Sequence, residues 1–330
     1  MKKKRKQTFW IAVYLILLVI VGLVIYLFPS VTGLLERTYI AESGSVEVVD
    51  ETEGWIIRNE TVYTAPQAGE VTRNVVEGSL IKGGVSVVSI SGQGNEEKNE
   101  QGASLLKKLG DRAVTAEGGV SQRSGYITYE VDGLEYLNGE SVLELTEKEY
   151  DQLKTDRFEL PTKVAAGDPV FKWVENSQFW YSFTVDAAVA DRYPEGREIT
   201  LIIGEKELRA TVVKQKTGKK ICRVIARSEM HYDNYLKDRE IKAGVRTARA
   251  TGVILQKDSI ITKDDRQGVL VKDKVGRLEF KPINILADNG EEVAVSEDYY
   301  LDASYNFVET VNPYDEILKN PSDKDIKEAD

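Results

Sequence analysis

Residues 60–90 read ETVYTAPQAGEVTRNVVEGSLIKGGVSVVSI, and the predicted architecture follows from them. Their apolar residues recur in short runs, which Gly, Pro and acidic residues interrupt at positions 65–66, 68–69, 77–78 and 83–84. This pattern predicts four short strands joined by tight turns, since Gly tolerates the positive φ that such turns require. Strands this short cannot bury a core alone, so a partner half is expected elsewhere in the chain.

Two later segments repeat this turn chemistry. Residues 124–127 place a β-branched apolar residue two positions after a Gly, as residues 68–71 do. Residues 166–171 follow the turn-then-strand order of residues 77–81. The repetition predicts a sandwich built from two interlocking β-halves.

The halves carry a recognisable motif. It reads Ala65-Pro66-x-x-Gly69-x-Val71, Glu77-Gly78-x-x-Ile81-x-x-Gly84 and Gly167-Asp168-Pro169-Val170-Phe171, followed later by Gly252-Val253-Ile254 and Gly268-Val269-Leu270-Val271. Over residues 44–296 the chain resembles the membrane fusion proteins, the periplasmic adaptor subunits of the hemolysin-secretion D type that occur with export and efflux pumps. It departs from the family pattern at Leu255, where members often have Pro, and in its short insertion between the halves.

The resemblance implies a lipoyl-like, or barrel-sandwich hybrid, domain. Seven residues are expected at the structural turns of its halves: Pro66, Gly69, Gly78, Gly84, Gly125, Gly167 and Pro169. Lipoyl and biotin carriers of this fold present a modified Lys at a tight turn. The corresponding Lys98 lies in a polar loop without that hairpin, so a carrier function is not expected.

The N-terminus predicts a membrane anchor. Five basic residues at positions 2–6 precede residues 9–28, which contain no charge and form a helix of about 30 Å, the thickness of a bilayer core. A cleaved signal peptide would have a shorter apolar region that ends at a small-residue site. The basic flank keeps the N-terminus in the cytoplasm, which makes the rest of this single-pass protein extracytoplasmic.

Charge excludes one class of partner. The whole chain carries −10 and the basic flank +5, so the remainder carries −15. Nucleic-acid binding requires a basic surface, and we therefore expect no nucleic-acid partner.

Residue chemistry argues against an enzyme. The single His, His231, lies in a polar connector and is expected at the surface, whereas the single Cys, Cys222, is expected in the core. No His-based metal cage, Cys-based zinc site, Gly-rich phosphate loop or nucleophile with a nearby base is recognisable. We predict no catalytic, cofactor-binding or metal-binding residues and no cofactor.

The predicted fold is mainly β. Regular strands at residues 179–185, 198–203, 207–215 and 220–226 indicate a small β-barrel after the sandwich. The predicted parts are a cytoplasmic basic tail (1–8), the transmembrane helix (9–28), a juxtamembrane connector with the first strands (29–58), the lipoyl-like domain (59–91 plus 118–175, with 92–117 as a short insertion), the β-barrel domain (176–250), a membrane-proximal-like C-terminal β domain (251–311) and a disordered acidic tail (312–330).

Two insertions interrupt the sandwich. Family members insert a long α-helical hairpin at residues 92–117, but two arms of about 12 residues would each be only about 18 Å long. The long hairpin is therefore absent, and a bacterium with a single membrane, of the Gram-positive type, is the expected source. In the second insertion, residues 132–165, the capping-box spacing Thr146–Glu149 predicts a short helix. Its expected role is to cover an edge or an open end of the sandwich, and the alternative is a partner-binding role.

Two functions follow from this reading. The first is a membrane-anchored, extracytoplasmic adaptor subunit of an efflux or export transporter, which contacts a permease, with the ABC type favoured, and forms a homo-oligomer. The second is a cell-envelope scaffold that uses the same fold to hold cell-wall or division proteins without transport.

Overall fold

The computed structural model describes residues 37–92 and 100–329, together with Tyr14, Leu17 and Leu18. The predicted transmembrane helix at residues 9–28 lies outside the described residues except for these three, and Lys98 also lies outside them. Within the described part of the chain, no helix is long and apolar enough to cross a membrane.

The described residues are mostly in short β-strands. The strands are β1 (Thr38–Ile40), β2 (Glu42–Ile57), β3 (Glu60–Thr64), β4 (Gly69–Arg73), β5 (Leu80–Ile81), β6 (Val88–Ser91), β7 (Ala113–Thr115), β8 (Gly125–Thr128), β9 (Glu130–Val131), β10 (Phe158–Glu159), β11 (Lys163–Val164), β12 (Pro169–Val174), β13 (Phe179–Asp186), β14 (Glu198–Ile203), β15 (Lys206–Thr217), β16 (Ile221–Ser228), β17 (Glu240–Gln256), β18 (Ile261–Lys263), β19 (Arg266–Lys272), β20 (Leu278–Pro282), β21 (Ile285–Asp288), β22 (Glu292–Val295), β23 (Tyr299–Leu301), β24 (Phe307–Glu309) and β25 (Glu316–Leu318). The α-helices are α1 (Glu100–Leu109), α2 (Ser141–Glu144), α3 (Glu147–Asp151) and α4 (Asp323–Glu328).

The chain divides into two compact units. The sandwich–barrel unit comprises Val49–Thr247, and the terminal unit comprises the described residues before Val49 and after Thr247. The long strands β2 and β17 contribute residues to both units.

The sandwich interlocks two halves, as the turn chemistry predicts. In its five-stranded sheet the order is β5-β8-β12-β3-β7, so that β5 and β3 from the first half pair with β8 and β12 from the second. A smaller sheet, β11-β4-β6, again combines both halves. The predicted four strands of residues 60–90 are β3 to β6, and the prediction of interlocking halves is confirmed.

The sandwich core explains why neither half is complete alone. The rings of Tyr63 on β3 and Phe171 on β12 stack with centroids 4.4 Å apart. Around them, buried Val71 and Val87 from the first half meet buried Ile127 and further residues from the second. Each half therefore covers apolar surface of the other, which is the main source of stabilisation for strands this short.

A closed barrel follows the sandwich. Its six strands run in the order β14-β15-β16-β13-β2-β17, and β14 pairs with β17 to close the ring. Alternate residues of β13, including Phe179, Tyr181 and Phe183, point into its core. The predicted barrel strands are confirmed, but the sequence assigned β2 to the connector before the sandwich. Strand β2 instead belongs to the barrel, because it pairs with β13, where Ser182 lies opposite Trp55.

The second insertion packs on the outer face of the barrel. The predicted capping box is present: the Thr146 Oγ1 accepts a hydrogen bond from the Glu149 N–H, and Glu149 accepts one from the Thr146 N–H. The capped helix α3 buries Tyr150, whose hydroxyl donates to the Ser182 carbonyl at 2.8 Å. The capped helix therefore packs on the barrel wall, whereas the sequence predicted that it would cover the sandwich.

The terminal unit is built on the sheet β1-β25-β19-β18, with β20 paired to β19. Residues 312–330 were expected to be disordered, and the structure differs. Ile317 and Leu318 on β25 are buried, and helix α4 has a capping box formed by Ser322 and Asp325. A polar average composition concealed the short apolar pair Ile317 and Leu318, whose side chains are buried in different core clusters on the two faces of this sheet.

Candidate functional site: a buried ionic cluster

Six charged side chains meet inside the sandwich–barrel unit, and each is at most 6% exposed. We call them the buried ionic cluster: Arg58, Glu60, Asp132, Glu135, Lys172 and Arg239. They come from three parts of the unit, because Glu60 and Lys172 lie on sandwich strands, Asp132 and Glu135 in the second insertion, and Arg58 and Arg239 at the ends of barrel strands.

Arg239 connects all three parts. Its Nη2 donates to Glu60 Oε2 at 2.5 Å and to Asp132 Oδ1 at 2.9 Å, and its Nε donates to Asp132 Oδ2 at 2.8 Å. Its Nη1 donates to the Ile56 carbonyl at 3.2 Å. The guanidinium fork suits such convergent carboxylates, since Arg forms paired hydrogen bonds that Lys cannot form.

Arg58 and Lys172 complete the network. The Arg58 Nε donates to Glu60 Oε1 at 3.2 Å, and its Nη1 donates to the Tyr235 carbonyl at 2.6 Å. The Lys172 Nζ lies 3.3 Å from Glu60 Oε1 and 3.1 Å from Glu135 Oε1. Each of the three cations therefore contacts carboxylates, as buried charges require.

Glu60 and Asp132 stay charged in this environment. Burial by itself opposes ionisation, but the positive charges of Arg239 and Lys172 outweigh burial and hold the pKa of Glu60 and of Asp132 below the ordinary range. Burial also opposes the charged form of Lys172, yet Glu60 and Glu135 hold its pKa above the ordinary value. Groups with these shifts do not exchange protons near neutral pH, so the cluster suits a positioning role rather than acid–base chemistry.

The cluster stabilises one arrangement of sandwich, insertion and barrel. Three positive and three negative charges balance, and any rotation of the sandwich on the barrel would separate buried opposite charges. Sequence reasoning missed this site. One signal was present: Lys172 is a charged residue in the apolar strand PVFKWV, all six residues of which are buried.

The predicted turn residues occupy the turns and strands of both halves. Gly78, Gly84 and Gly167 have φ of +73°, +86° and +88°, where Gly is favoured. Gly69 and Gly125 are the first residues of strands β4 and β8, where neighbouring atoms leave no space for a side chain. A Cβ on Gly125, for example, would lie 2.2 Å from Trp173 Nε1.

The two predicted prolines lie at strand boundaries, one in each half. Pro66 lies in the turn between β3 and β4, and Pro169 is the first residue of β12, next to a bulge. Pro is tolerated at the start of a strand because its missing N–H is not needed there. The seven residues are thus spread along the sandwich, and the role of this set as a functional motif remains a prediction.

The sequence predicted the burial of Cys222 correctly and that of His231 incorrectly. Cys222 is fully buried in the barrel, as predicted. His231 was expected at the surface, but its ring is half-buried against Tyr235, with centroids 4.4 Å apart, and it also packs on Phe179. Burial lowers the pKa of His231, so the ring is neutral at physiological pH.

Comparison with known proteins shows likeness of fold. No family model and no curated protein sequence matches the chain. Similar solved structures include MacA from Actinobacillus actinomycetemcomitans (TM-score 0.41, 10% identity, 86% of this chain and 100% of that chain) and ZneB from Cupriavidus metallidurans (0.32, 12%, 85% and 91%). The membrane fusion protein Spr0693 from Streptococcus pneumoniae R6 is also similar (0.29, 10%, 61% and 98%).

Proposed function

We propose that the protein is a membrane-anchored extracytoplasmic adaptor, which joins the subunits of an efflux or export transporter through protein–protein contacts. The observation that carries the proposal is the interlocked lipoyl-like sandwich, fixed to a closed six-stranded barrel by the buried ionic cluster. Such a unit presents loops on a rigid scaffold, which is how binding surfaces are commonly built.

The site chemistry agrees with a binding role. The ionised groups of the cluster are paired with one another and hold the sandwich, the insertion and the barrel together. The proposed partner is a permease, with the ABC type favoured by the sequence resemblance.

The helix between the halves supports a protein that works at a single membrane. Helix α1 has ten residues, a length of about 15 Å. Leu105 and Leu109 on this helix are buried against Val62, Val131 and Leu160. Since α1 packs on the body of the sandwich, its apolar face is not available for contact with a distant partner.

In-cell photo-crosslinking tests the adaptor role. A photoreactive residue would replace Val76 or Leu80, which are 77% and 55% exposed beside the Gly78 turn of the sandwich. The matched control is Val275, which is 75% exposed in a turn of the terminal unit. We expect a permease to be crosslinked from the sandwich positions, as identified by mass spectrometry.

The alternative role as an envelope scaffold makes the opposite prediction. Division or wall-synthesis proteins would then be captured at Val76 and Leu80, and no permease would be enriched over the Val275 control. That result would reject the adaptor function.

A further inference from the structure

A cavity of about 650 Å³ lies between the second insertion and the outer wall of the barrel, within the sandwich–barrel unit. Helix α2 and the turn before it form one wall, and strands β13, β15 and β16 form the other. Cavities of this volume commonly bind small molecules. We call it the insertion cavity, and its lining includes Glu140, Glu144, Trp180, Lys214 and Arg227.

The sheet register places an indole ring and a guanidinium group side by side in the insertion cavity. Trp180 on β13 pairs with Arg227 on β16. Phe179 and Tyr181, on either side of Trp180, point into the barrel core, so the alternation of the strand directs Trp180 outward. Trp180 is half-buried and Arg227 is exposed, and both line the cavity. Both side chains are therefore accessible to a ligand.

A β-bulge adds two more side chains to the barrel wall. The register between β15 and β16 shifts between Val212 and Lys214, which makes Val213 an extra residue in β15. As a result, Val213 and Lys214 are exposed in succession instead of alternating between the two sides of the strand, and both line the cavity. Bulges are frequent beside functional sites, where they redirect side chains.

Helix α2 forms the acidic wall of the insertion cavity. Glu140 precedes the helix and Glu144 is its last residue, and residues four positions apart lie on the same side of a helix. Gly139 brings this wall close to the indole, since a Cβ at Gly139 would lie 2.6 Å from Trp180 Cε2. The backbone of the insertion therefore packs on Trp180 and fixes the ring in the cavity.

The charged groups of the two walls have no partners within the described part of the chain. Glu140 and Glu144 on one wall, like Lys214 and Arg227 on the other, form no ion pair and no side-chain hydrogen bond there. Elsewhere on the barrel, opposite charges that come together do pair, as Arg246 does with Glu207. The cavity thus separates two carboxylates from two cations, and a ligand with charges of both signs complements it.

Two amide side chains on the cavity wall each keep one free group. The Asn138 Oδ1 accepts hydrogen bonds from the Glu140 and Ser141 N–H groups, which leaves its Nδ2 as a donor. The Asn59 Nδ2 donates to Glu175 Oε2 at 2.6 Å, which leaves its Oδ1 as an acceptor. One free donor and one free acceptor match the carbonyl and the N–H of a peptide group.

We propose that the insertion cavity binds a short zwitterionic peptide. The cationic group of the peptide contacts Glu140 and Glu144, its anionic group contacts Lys214 and Arg227, and its apolar part packs on Trp180. A simple anion or cation would satisfy only one wall, whereas a zwitterion satisfies both. This site does not depend on the proposed transport function, because its chemistry is contained within one chain.

Isothermal titration calorimetry with four forms of one peptide tests the proposal on the full-length protein in detergent. The probe is the tripeptide Ala-Leu-Ala with free termini, N-acetylated, C-amidated, or capped at both ends. We expect the free form to bind and each single cap to weaken binding by about tenfold, because each removes one charged contact. The proposal is rejected if all four forms bind equally, or if the free form does not bind at about 10 mM.

Paired substitutions assign each charge of the peptide to one wall. Lys214→Gln with Arg227→Gln is expected to weaken the free tripeptide by about tenfold and to leave the C-amidated form unaffected. Glu140→Gln with Glu144→Gln should behave in the same way towards the free and N-acetylated forms. Circular dichroism establishes that the variants are folded.

The matched control is Lys220→Gln, at an exposed residue in the turn between β15 and β16, which should bind every form as the wild type does. A loss that is equal for the free form and the corresponding capped form would show that the wall does not recognise that charge. Such a result would overturn the proposal even though the peptide binds.

Discussion

Lys172 lies in a strand that is buried over its whole length, and its ammonium group has two carboxylate neighbours within 3.3 Å. A buried ion pair adds little stability over an apolar pair, but removal of one partner leaves an uncompensated charge. Removal of Lys172 is therefore expected to lower stability far more than its ion pairs raise it, and we expect the same of the other members of the cluster.

Lys172→Met tests the cluster at this scale. The change keeps the volume of the side chain and leaves one buried negative charge unbalanced, so we expect the free energy of unfolding to fall by about 3–5 kcal/mol. Urea denaturation followed by Trp fluorescence measures this loss. Adding Glu135→Gln restores neutrality and should recover part of the stability. Lys206→Met, at a 58% exposed side chain, is the matched control and should leave the urea midpoint unchanged. Equal midpoints for Lys172→Met and wild type would contradict the role of the cluster.

Two glycines of the sandwich separate backbone strain from lack of space. Gly84 has φ of +86°, and no heavy atom lies within 4 Å of the position that a Cβ would take, so Gly84→Ala should cost about 1–2 kcal/mol through its left-handed backbone alone. Gly125→Ala should cost more, because its Cβ would lie 2.6 Å from the Val174 carbonyl oxygen as well as against Trp173. Thermal unfolding should rank the variants in this order, and the reverse ranking would contradict the packing argument.

Helix α3 shows how a short element depends on its cap. Its five residues are too few to be stable alone, since helix nucleation is unfavourable. The capping box at Thr146 and the burial of Tyr150 hold it in place. The guanidinium of Arg223 lies 4.1 Å from the centre of the Tyr150 ring and donates to the Leu145 carbonyl at 2.7 Å, which attaches the helix to strand β16.

Thr146→Ala removes the cap and should lower stability by about 1 kcal/mol. The expected local effect is faster hydrogen exchange at the amides of Glu149 and Tyr150, measured by mass spectrometry. Thr155→Ala, at an exposed position after the helix, is the control and should change neither quantity. Unchanged exchange in Thr146→Ala would mean that tertiary packing alone holds the helix.

At the scale of the whole molecule, the net charge of −10 and the paired carboxylates make stability depend on pH. Glu60 and Asp132 have lowered pKa values in the folded chain. Their contribution to stability is complete above the carboxyl pKa of the unfolded chain, about 4, and is lost as the pH falls through the folded values.

We therefore expect the urea midpoint to be steady between about pH 5 and pH 7 in respect of these groups and to fall steeply below about pH 4. The fall should persist at about 1 M salt, because buried charges are screened far less than exposed ones. A midpoint that is independent of pH down to about pH 2, or an acid effect that salt abolishes, would show that surface repulsion dominates instead.

The interlocked halves were predictable because their signals are local. Tight turns need Gly or Pro within a few residues of the strands that they join. These turn residues can be recognised in the sequence between Ala65 and Gly84 and again around Gly167. The capping box was predictable for the same reason, since Thr146 and Glu149 are only three residues apart.

The remaining features depend on residues that are distant in the chain. Arg239 meets Glu60 across 179 positions, and β14 closes the barrel on β17 by pairing Leu201 with Val245. The sequence alone established the alternation of apolar and polar residues in the strands, the turns and the paired halves, because each of these features depends on residues that are close together in the chain. The buried ionic cluster, the place of β2 in the barrel and the order of the C-terminal segment arose only on folding, since each requires partners that packing brings together.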